Sequence, residues 1–373
     1  MPRLDEYDAK RDFAKTPEPR GRRRSARRAE PVEGVRRFVV QEHHARSLHW
    51  DLRLEHDGAL ASWAVPKGIP VDPGENHLAV RTEDHPMEYL EFHGEIPRGQ
   101  YGAGTMTVWD RGDYETYEWE PGKVVVRLAG ERVRGRYALF RTNGRNWMIH
   151  RMDPPEDPDR VDPPADFRPM RAATAKRRPS GPAWAFEMAW RGRRVSALVQ
   201  GGRVRVRDAG GDDLTAALPE LRGLGAQLGS TEALLDGVVV VIGVDGRPDD
   251  AALGRRLAAT DGRAAARLAK QLPAVLMIFD LVWLDGRSLE QLPYEERRRA
   301  LEGLGLGGPA WQTPPVERGD GARAVDAARR LGFEGVVAKR LDAPYEPGKT
   351  ARTWLELDLT GSGRAPARKK GAR

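Results

Sequence analysis

Cysteine is absent from all 373 residues, which excludes a disulfide framework, a thiolate metal site and a cysteine nucleophile. Any metal must therefore be held by His, Asp and Glu, and a reducing cytoplasm is the expected compartment. Long hydrophobic runs are also missing: nothing reaches the roughly eighteen apolar residues of a membrane span. The opening MPRLDEYDAKRDF is too charged for the apolar core of a signal peptide. Membrane insertion and secretion are not expected. Apolar residues make up 39% of the chain, low but sufficient for packed cores, and the length suggests about two domains. Acidic residues are the minority charge, 55 against 62 Lys and Arg, for a net charge of +7. Most of the basic residues are arginine, which grips phosphate bidentately, so an acidic polymer is an expected partner. An arginine-rich, high-GC genome would give the same excess unless the arginines gather at a site.

Arginine gathers first in PRGRRRSARRAE, residues 19–30. With no large apolar residue to anchor it, the segment 1–36 reads as a basic N-terminal arm. From 37 to 153 the text becomes short apolar or alternating runs, such as RFVVQ, ALASWAV and KVVVRL, separated by Gly, Pro, Asn and Asp. Such spacing predicts an all-β, barrel-like domain. Residues 154–182 are rich in Pro, Asp and basic residues and read as an interdomain linker. From 183 to 359, strands such as LLDGVVVVIG and VLMIFDLVWL are interleaved with helical stretches such as AALGRRLAATDGRAAARLAKQL, predicting an α+β domain. Residues 360–373 form a basic tail.

The richest segment is QEHHARSLHWDLRLEHDG, residues 41–58. Alternation from Leu48 to Leu54 places His49, Asp51 and Arg53 on one strand face and four apolar residues on the other. Two imidazoles and a carboxylate suit a borderline cation such as manganese or zinc, and His43 is near enough in sequence to join His49 and Asp51 as a ligand. Arg53 would then sit beside the metal as a phosphate clamp. A solvated strand with ordinary polar residues carries the same letters. A second cluster adds His85 and Tyr89, four residues apart, followed by a Gly-rich turn from Gly99 to Gly104. His, Tyr and Arg beside a metal match the needs of phosphoester cleavage: a polarised phosphate, activated water, neutralised oxygens and a proton for the leaving group.

These residues, in QEHHARSLHWDLRLEHDGALASWAVPKG, EDHPMEY and GEIPRGQYGAGTMTVWDRG, with KRDFAKTPEP at 10–19, resemble the phosphoesterase module of bacterial ligase D, the multifunctional ligase of nonhomologous end joining. The resemblance covers roughly residues 5–153. It implies manganese-dependent removal of ribonucleoside or phosphate groups from DNA 3' ends. Position by position, it makes His43, His49 and Asp51 the metal ligands and puts Arg53, His85 and Tyr89 around the scissile phosphate. Asp12, Glu18 and Lys67 fall on further polar positions of the active-site surround. His77 stands where family members commonly carry arginine, and a neutral imidazole would be a weaker phosphate clamp.

The second half, with AFEMAWRGRRV, ALLDGVVVVIG, MIFDLVWLDG, GFEGVVAKR and TWLELD, resembles the nucleotidyltransferase domain of ATP-dependent DNA ligases over residues 183–359. In that family a lysine in Lys-x-Asp-Gly-x-Arg attacks the α-phosphate of ATP. The aligned residue here is Ala189, whose methyl cannot attack phosphorus. The family's Asp-Gly-Glu reads Asp236-Gly237-Val238, and its Trp-x-Lys-x-Lys reads Trp354-Leu355-Glu356-Leu357-Asp358, so two attractive charges become repulsive. Arg194, Phe279, Glu334 and Lys339 keep family positions and are read as retained for folding. Of the lysines between Gly181 and Thr360, Lys270 and Lys349 match no nucleophile position. With the chain ending at Arg373, the OB-fold domain of ligases is not expected either.

The expected protein is thus a manganese-dependent 3'-end phosphoesterase carrying a pseudoligase domain, with no use of ATP. An active ATP-dependent ligase and a noncatalytic DNA-end scaffold are the competing readings. Expected partners are DNA 3' ends or a primer-template and, by analogy with the pathway, a Ku-like end-binding protein, a separate ligase and a polymerase. A bacterial cytoplasmic location at the nucleoid is implied.

Overall fold

The computed structural model describes residues 4–20, 36–154, 157, 159–259 and 261–360. Two compact units meet in sequence between Arg160 and Val161. The first contains β1 (Arg36–His44), β2 (Leu48–His56), β3 (Ala59–Val65), β4 (Asn76–Arg81), β5 (Gly94–Ile96), β6 (Gly104–Glu120), β7 (Lys123–Gly130), β8 (Arg134–Asn143) and β9 (Asn146–Arg151). Pairing runs β1-β2-β3-β4-β9-β8-β7-β6, and β6 returns to β1, so eight antiparallel strands close into a barrel with β5 added to β6. Closure leaves no long free edge. Alternate residues of every barrel strand, including Phe38, Trp50, Leu52, Trp63, Val126, Tyr137, Leu139 and Ile149, form one buried cluster inside. The β2–β3 turn is Asp57-Gly58, both at positive φ, the geometry that lets a two-residue turn follow the strand twist.

Closure also depends on Gly104, where β6 crosses β1. A Cβ there would lie 2.4 Å from the His44 carbonyl oxygen, so no side chain fits.

Two boundaries differ from the sequence reading. Residues 4–20 are not an arm. A short helix, Asp5–Ala9, buries Tyr7 completely, and Tyr7, Leu60, Tyr89, Ile96 and Met106 form a second cluster against the outside of the barrel. Single aromatics spaced through charged text carry no periodicity, which is why this anchoring is invisible in sequence. Residues 22–28, with most of the expected basic arm, and residues 361–373 of the tail lie outside the described residues. Part of the expected linker, residues 167–174, belongs to the second unit. Phe167 and Met170 are buried in the core of the second unit, and Arg171–Thr174 pairs in parallel with Thr350–Asp358.

The second unit has two sheets. One orders Arg171–Thr174, Thr350–Asp358, Gly335–Arg340, Trp184–Met188 and Glu317–Arg318; the other orders Arg203–Asp208, Arg193–Gln200, Ala233–Val241, Ala274–Leu284 and Arg287–Ser288. The long helical run at 251–272 is in fact two helices, Asp250–Leu257 and Gly262–Gln271. Asp261 stops their merger by accepting the Ala264 N–H at 3.1 Å, an N-cap inside the run.

Candidate metal and phosphate site

The β1–β2 hairpin builds the site. His43 and His49 are directly opposed across the pair, as are Gln41 and Asp51, and Arg53 faces Ser62 across β2–β3. Opposed residues in an antiparallel ladder hold their side chains about 5 Å apart, and the two imidazole centroids are 4.7 Å apart. One ligand atom from each of His43, His49 and Asp51 falls within a 4.8 Å group. His43 Nε2 is 2.9 Å from the Gly102 carbonyl, and His49 Nδ1 is 3.0 Å from the Ser47 carbonyl. A carbonyl oxygen only accepts, so those nitrogens carry the protons. The other nitrogens, His43 Nδ1 and His49 Nε2, present lone pairs, each 3.6 Å from an Asp51 oxygen. Imidazoles fixed by a backbone acceptor, with the free nitrogen turned to a carboxylate, form a donor set that fits a borderline divalent ion.

Asp51 is buried, which opposes its charge, yet the Arg53 guanidinium beside it holds its carboxyl below the usual carboxylate range. Arg53 donates from Nη2 to Asp51 at 2.8 Å, from Nε to Gln41 at 2.6 Å and from Nη1 to Ser62 at 3.0 Å. It is only 2% exposed. Here the sequence reading needs correction: Arg53 positions Asp51 from below, and a phosphate clamp would need a donor turned outward.

A second buried cation is Arg11, from the segment packed over the barrel, its side chain 4% exposed. It reaches Glu18 at 2.7 Å, Glu83 at 3.0 Å and His85 Nε2 at 3.3 Å. His85 gives its Nδ1 proton to the Glu83 carbonyl at 2.9 Å, leaving a lone pair on Nε2. Burial, then the Arg53 and Arg11 charges, push the His85 pKa well below its ordinary value, so it is neutral at pH 7. The Tyr89 hydroxyl donates to Glu18, and burial raises its pKa far enough to keep its proton.

Glu18, His85 and Tyr89 are therefore brought together, as the sequence reading expected. Asp12 and Lys67 are not. Asp12 is exposed and pairs with Lys15 at 2.8 Å, and Lys67 is exposed on the turn after β3, with no contact to this group among the described residues. His77 sits on the interior side of β4, with Nδ1 2.7 Å from the Gly68 carbonyl and Nε2 3.2 Å from Glu75, so the structure gives it a turn-holding contact in place of a clamp. Arg11, Gln41, Ser62 and Glu83 were missed. Gln41 was legible, two residues before His43 on the same strand face; Arg11 and Glu83 depend on tertiary docking.

In the second unit Ala189 is held by its backbone, its N–H donating to the Gly335 carbonyl at 3.0 Å. Arg194 forms a two-point pair with Asp236 at 2.7 and 2.6 Å, and Tyr345 donates to the same carboxylate at 2.6 Å. Lys339 is 1% exposed, with Nζ 2.9 Å from Glu187, 3.2 Å from the Phe279 carbonyl and 4.4 Å from the Phe279 ring centroid. Burial lowers its pKa against the pull of Glu187. Glu334 pairs with Arg191 at the surface. A cleft of about 440 Å³ runs beside Trp190, Arg191, Arg193, Asp250 and Glu356.

Residues 169–357, half of the chain, match the ATP dependent DNA ligase domain, and the chain belongs to that family. Residues 41–141 match the DNA Ligase D 3'-phosphoesterase domain, and the two domains together make it a LigD-like protein. It is 40% identical over 367 residues to the multifunctional non-homologous end joining protein LigD of Mycolicibacterium smegmatis, spanning 95% of this chain and 45% of that protein. Against the LigD of Pseudomonas aeruginosa identity is 35% over 406 residues, 95% of this chain and 47% of that one. A DNA ligase of Methanothrix thermoacetophila is 35% identical over 180 residues, 47% of this chain and 32% of the relative. The chain thus spans less than half the length of these relatives. Among solved structures, mycobacterial DNA ligase D complexed with ATP and MES is 33% identical with a TM-score of 0.45, covering 52% of this chain and 60% of that one. Among the described residues no helix is long and apolar enough to cross a membrane.

Proposed function

We propose that the first unit is a divalent-metal phosphoesterase, with manganese the expected ion, that removes a ribonucleoside or phosphate group from DNA 3' ends during nonhomologous end joining. The observation that carries this reading is the His43, His49 and Asp51 group beside Arg11 and His85. A divalent ion there would supply charge to a phosphate oxygen and acidify water. Arg53 keeps Asp51 ionised and aimed. Arg11, buried and paired with Glu18 and Glu83, holds those carboxylates beside His85. Neutral His85 accepts on Nε2 from Arg11, and Tyr89 keeps its own proton, donated to Glu18, so neither side chain is a ready acid at neutral pH in this arrangement. A Ku-like end-binding protein, a separate ligase and a separate polymerase are proposed as partners.

The test is purified protein with a labelled primer-template ending in one ribonucleotide, in manganese, magnesium, zinc or chelator. Loss of the terminal nucleoside with metal and none in chelator is expected. Cleavage in chelator, or DNA-end binding with an untouched 3' end, would overturn the reading and leave a scaffold.

We further propose that the second unit is a pseudoligase. Ala189 has no nitrogen to attack phosphorus, Val238 has no carboxylate, and Glu356 and Asp358 would repel a triphosphate. The family match over residues 169–357, with Arg194, Phe279 and Lys339 in place, favours the alternative of an active ligase. Incubation with α-labelled ATP and magnesium, followed by a denaturing gel, decides between them. Label retained on the wild-type chain would refute the pseudoligase, and label on Ala189→Lys alone would show that only the nucleophile is missing.

A further inference from the structure

The turn from Gly99 to Gly104 holds a side chain that the reading above leaves unused. Tyr101 is 48% exposed, whereas Tyr7 and Tyr89 beneath it are fully buried. Its position ties it to both halves of the site. The next residue, Gly102, supplies the carbonyl that fixes the metal ligand His43. Arg11, which reaches His85, has its guanidinium carbon 5.6 Å from the Tyr101 ring centroid, and Lys10 Nζ is 4.9 Å from it. Two reverse turns follow one another here, Gln100 N–H donating to Pro97 and Ala103 N–H to Gln100, with Tyr101 at the second position of the latter. Gly102 follows at φ +74, the left-handed conformation that glycine adopts without strain and that aims its carbonyl at His43.

We propose that Tyr101 is the stacking platform for the nucleobase of the terminal nucleoside at the DNA 3' end, an inference that rests on the phosphoesterase reading. An aromatic ring in water at the rim of a phosphate site supplies the π surface that holds a base of a single strand, and Lys10 and Arg11, themselves paired with Glu6, Glu18 and Glu83, hold the ring in place from one side. Every base has a π face, so the platform grips the end without reading its sequence. The terminal base lies on Tyr101, and the turn that carries it, tied to His43 through Gly102, sets the adjoining phosphate against the metal ligands. A terminal 3'-phosphate with no base beyond it gains nothing from the ring.

The competing role for Tyr101 is to pin residues 4–20 through Lys10 and Arg11. Steady-state cleavage by the full chain in manganese separates the two. The substrates are a primer-template ending in a ribonucleoside and the same end with an abasic ribose; the variants are Tyr101→Ala, Tyr101→Leu and Tyr101→Phe. The Ala and Leu variants should raise KM on the base-bearing end by about 5- to 150-fold, the range of one base–aromatic stack, with kcat nearly unchanged. Tyr101→Phe should match wild type. On the abasic end, wild type should already show the higher KM and no variant should worsen it. In a second measurement independent of turnover, 2-aminopurine at the 3' end should be quenched on binding wild type or Tyr101→Phe in chelator, and not on binding Tyr101→Ala. An equal KM for Tyr101→Ala and wild type on the base-bearing end, or an equal loss on both ends, would overturn the platform. A wild type that quenches the base but cleaves neither end would overturn the phosphoesterase reading and leave the platform standing.

Discussion

Arg53→Met tests whether the buried guanidinium is what makes the metal site possible. Arg53 and Asp51 are 2% and 5% exposed and joined at 2.8 Å. Removing one partner of such a pair costs about 3–5 kcal/mol, because the other charge is left buried and uncompensated. The neighbours decide how much more is lost. Ser62 Oγ keeps its bond to the Leu60 carbonyl, and the Gln41 amide keeps its bonds to the Tyr89 and Phe92 carbonyls. Only Gln41 Oε1 loses its partner, which adds about 1 kcal/mol. Methionine fills most of the vacated volume, so a cavity contributes little. Amide hydrogen exchange of peptides from β1–β3, followed in the full chain in chelator, reports the opening free energy of the barrel alone. The expected drop is about 4–6 kcal/mol. Adding Asp51→Asn should recover about 2 kcal/mol or more, since the stranded charge is then gone, and that coupling is the signature of the pair. A drop below about 1 kcal/mol, or two substitutions that simply add, would refute the reasoning.

Residues 4–20 should come off the barrel in acid. Lys10 and Arg145 hold the Glu6 carboxyl down at about 2, and backbone, Lys10 and Arg11 hydrogen bonds hold Glu83 below its ordinary value despite burial. Both folded values lie below the unfolded value of 4.5, so this stabilisation is complete above that pH and is lost as pH falls through the depressed values. Exchange protection of Tyr7 and its neighbours should fade below about pH 4 while β7–β9 stay protected; unchanged protection down to pH 2 would contradict the ion-pair account. His49→Ala and Asp51→Ala should abolish both 3'-end cleavage and the stabilisation that manganese gives the wild-type barrel, about 2.7 kcal/mol at a hundred times Kd; full manganese stabilisation of either variant would remove these residues from the ligand set. Deleting residues 21–35 and 361–373 should flatten the salt dependence of DNA binding by about one unit of log–log slope per lost phosphate contact, and an unchanged slope would make those arginines and lysines bystanders.

What was legible in the sequence and what was not divide along the range of the interactions. Alternation on one strand announced that His49, Asp51 and Arg53 share a face, and the tight His44–Leu48 connection made His43 their neighbour. Period-two text needs only the pleat to be read. The direction of Arg53 was not readable, because it depends on Gln41 and Ser62 on two other strands. Segment 4–20 was misjudged for a similar reason. Its aromatics pack on Leu60, Tyr89 and Ile96, contacts more than fifty residues away, and its charges pair with Glu83 and Arg145. Composition alone made it resemble the arginine run that follows. Asp12 and Lys67 carry the right chemistry at family positions yet face solvent, so position in a motif says less about contact than strand register does.

The charged interior of the second unit fits a fold kept without its chemistry. Arg194 is spent on Asp236, Lys339 on Glu187, and Arg297 on Asp280 at 2.8 and 3.0 Å. Each cation is matched inside the protein, and a triphosphate arriving there would have to break a pair before gaining one. Breaking one by mutation is as costly: losing Lys339 would strand Glu187, 5% exposed, at about 3–5 kcal/mol. These residues therefore persist whether or not nucleotide binds, because the core cannot spare them. Ala189, Glu356 and Asp358 are under no such constraint. Ala189 makes its contact through the backbone, and the Glu356 and Asp358 side chains are exposed on the strand Thr350–Asp358. The positions that depart from the ligase motifs have only chemistry to defend, while those that also hold the core match them, a pattern that favours the proposed pseudoligase over general decay of the domain.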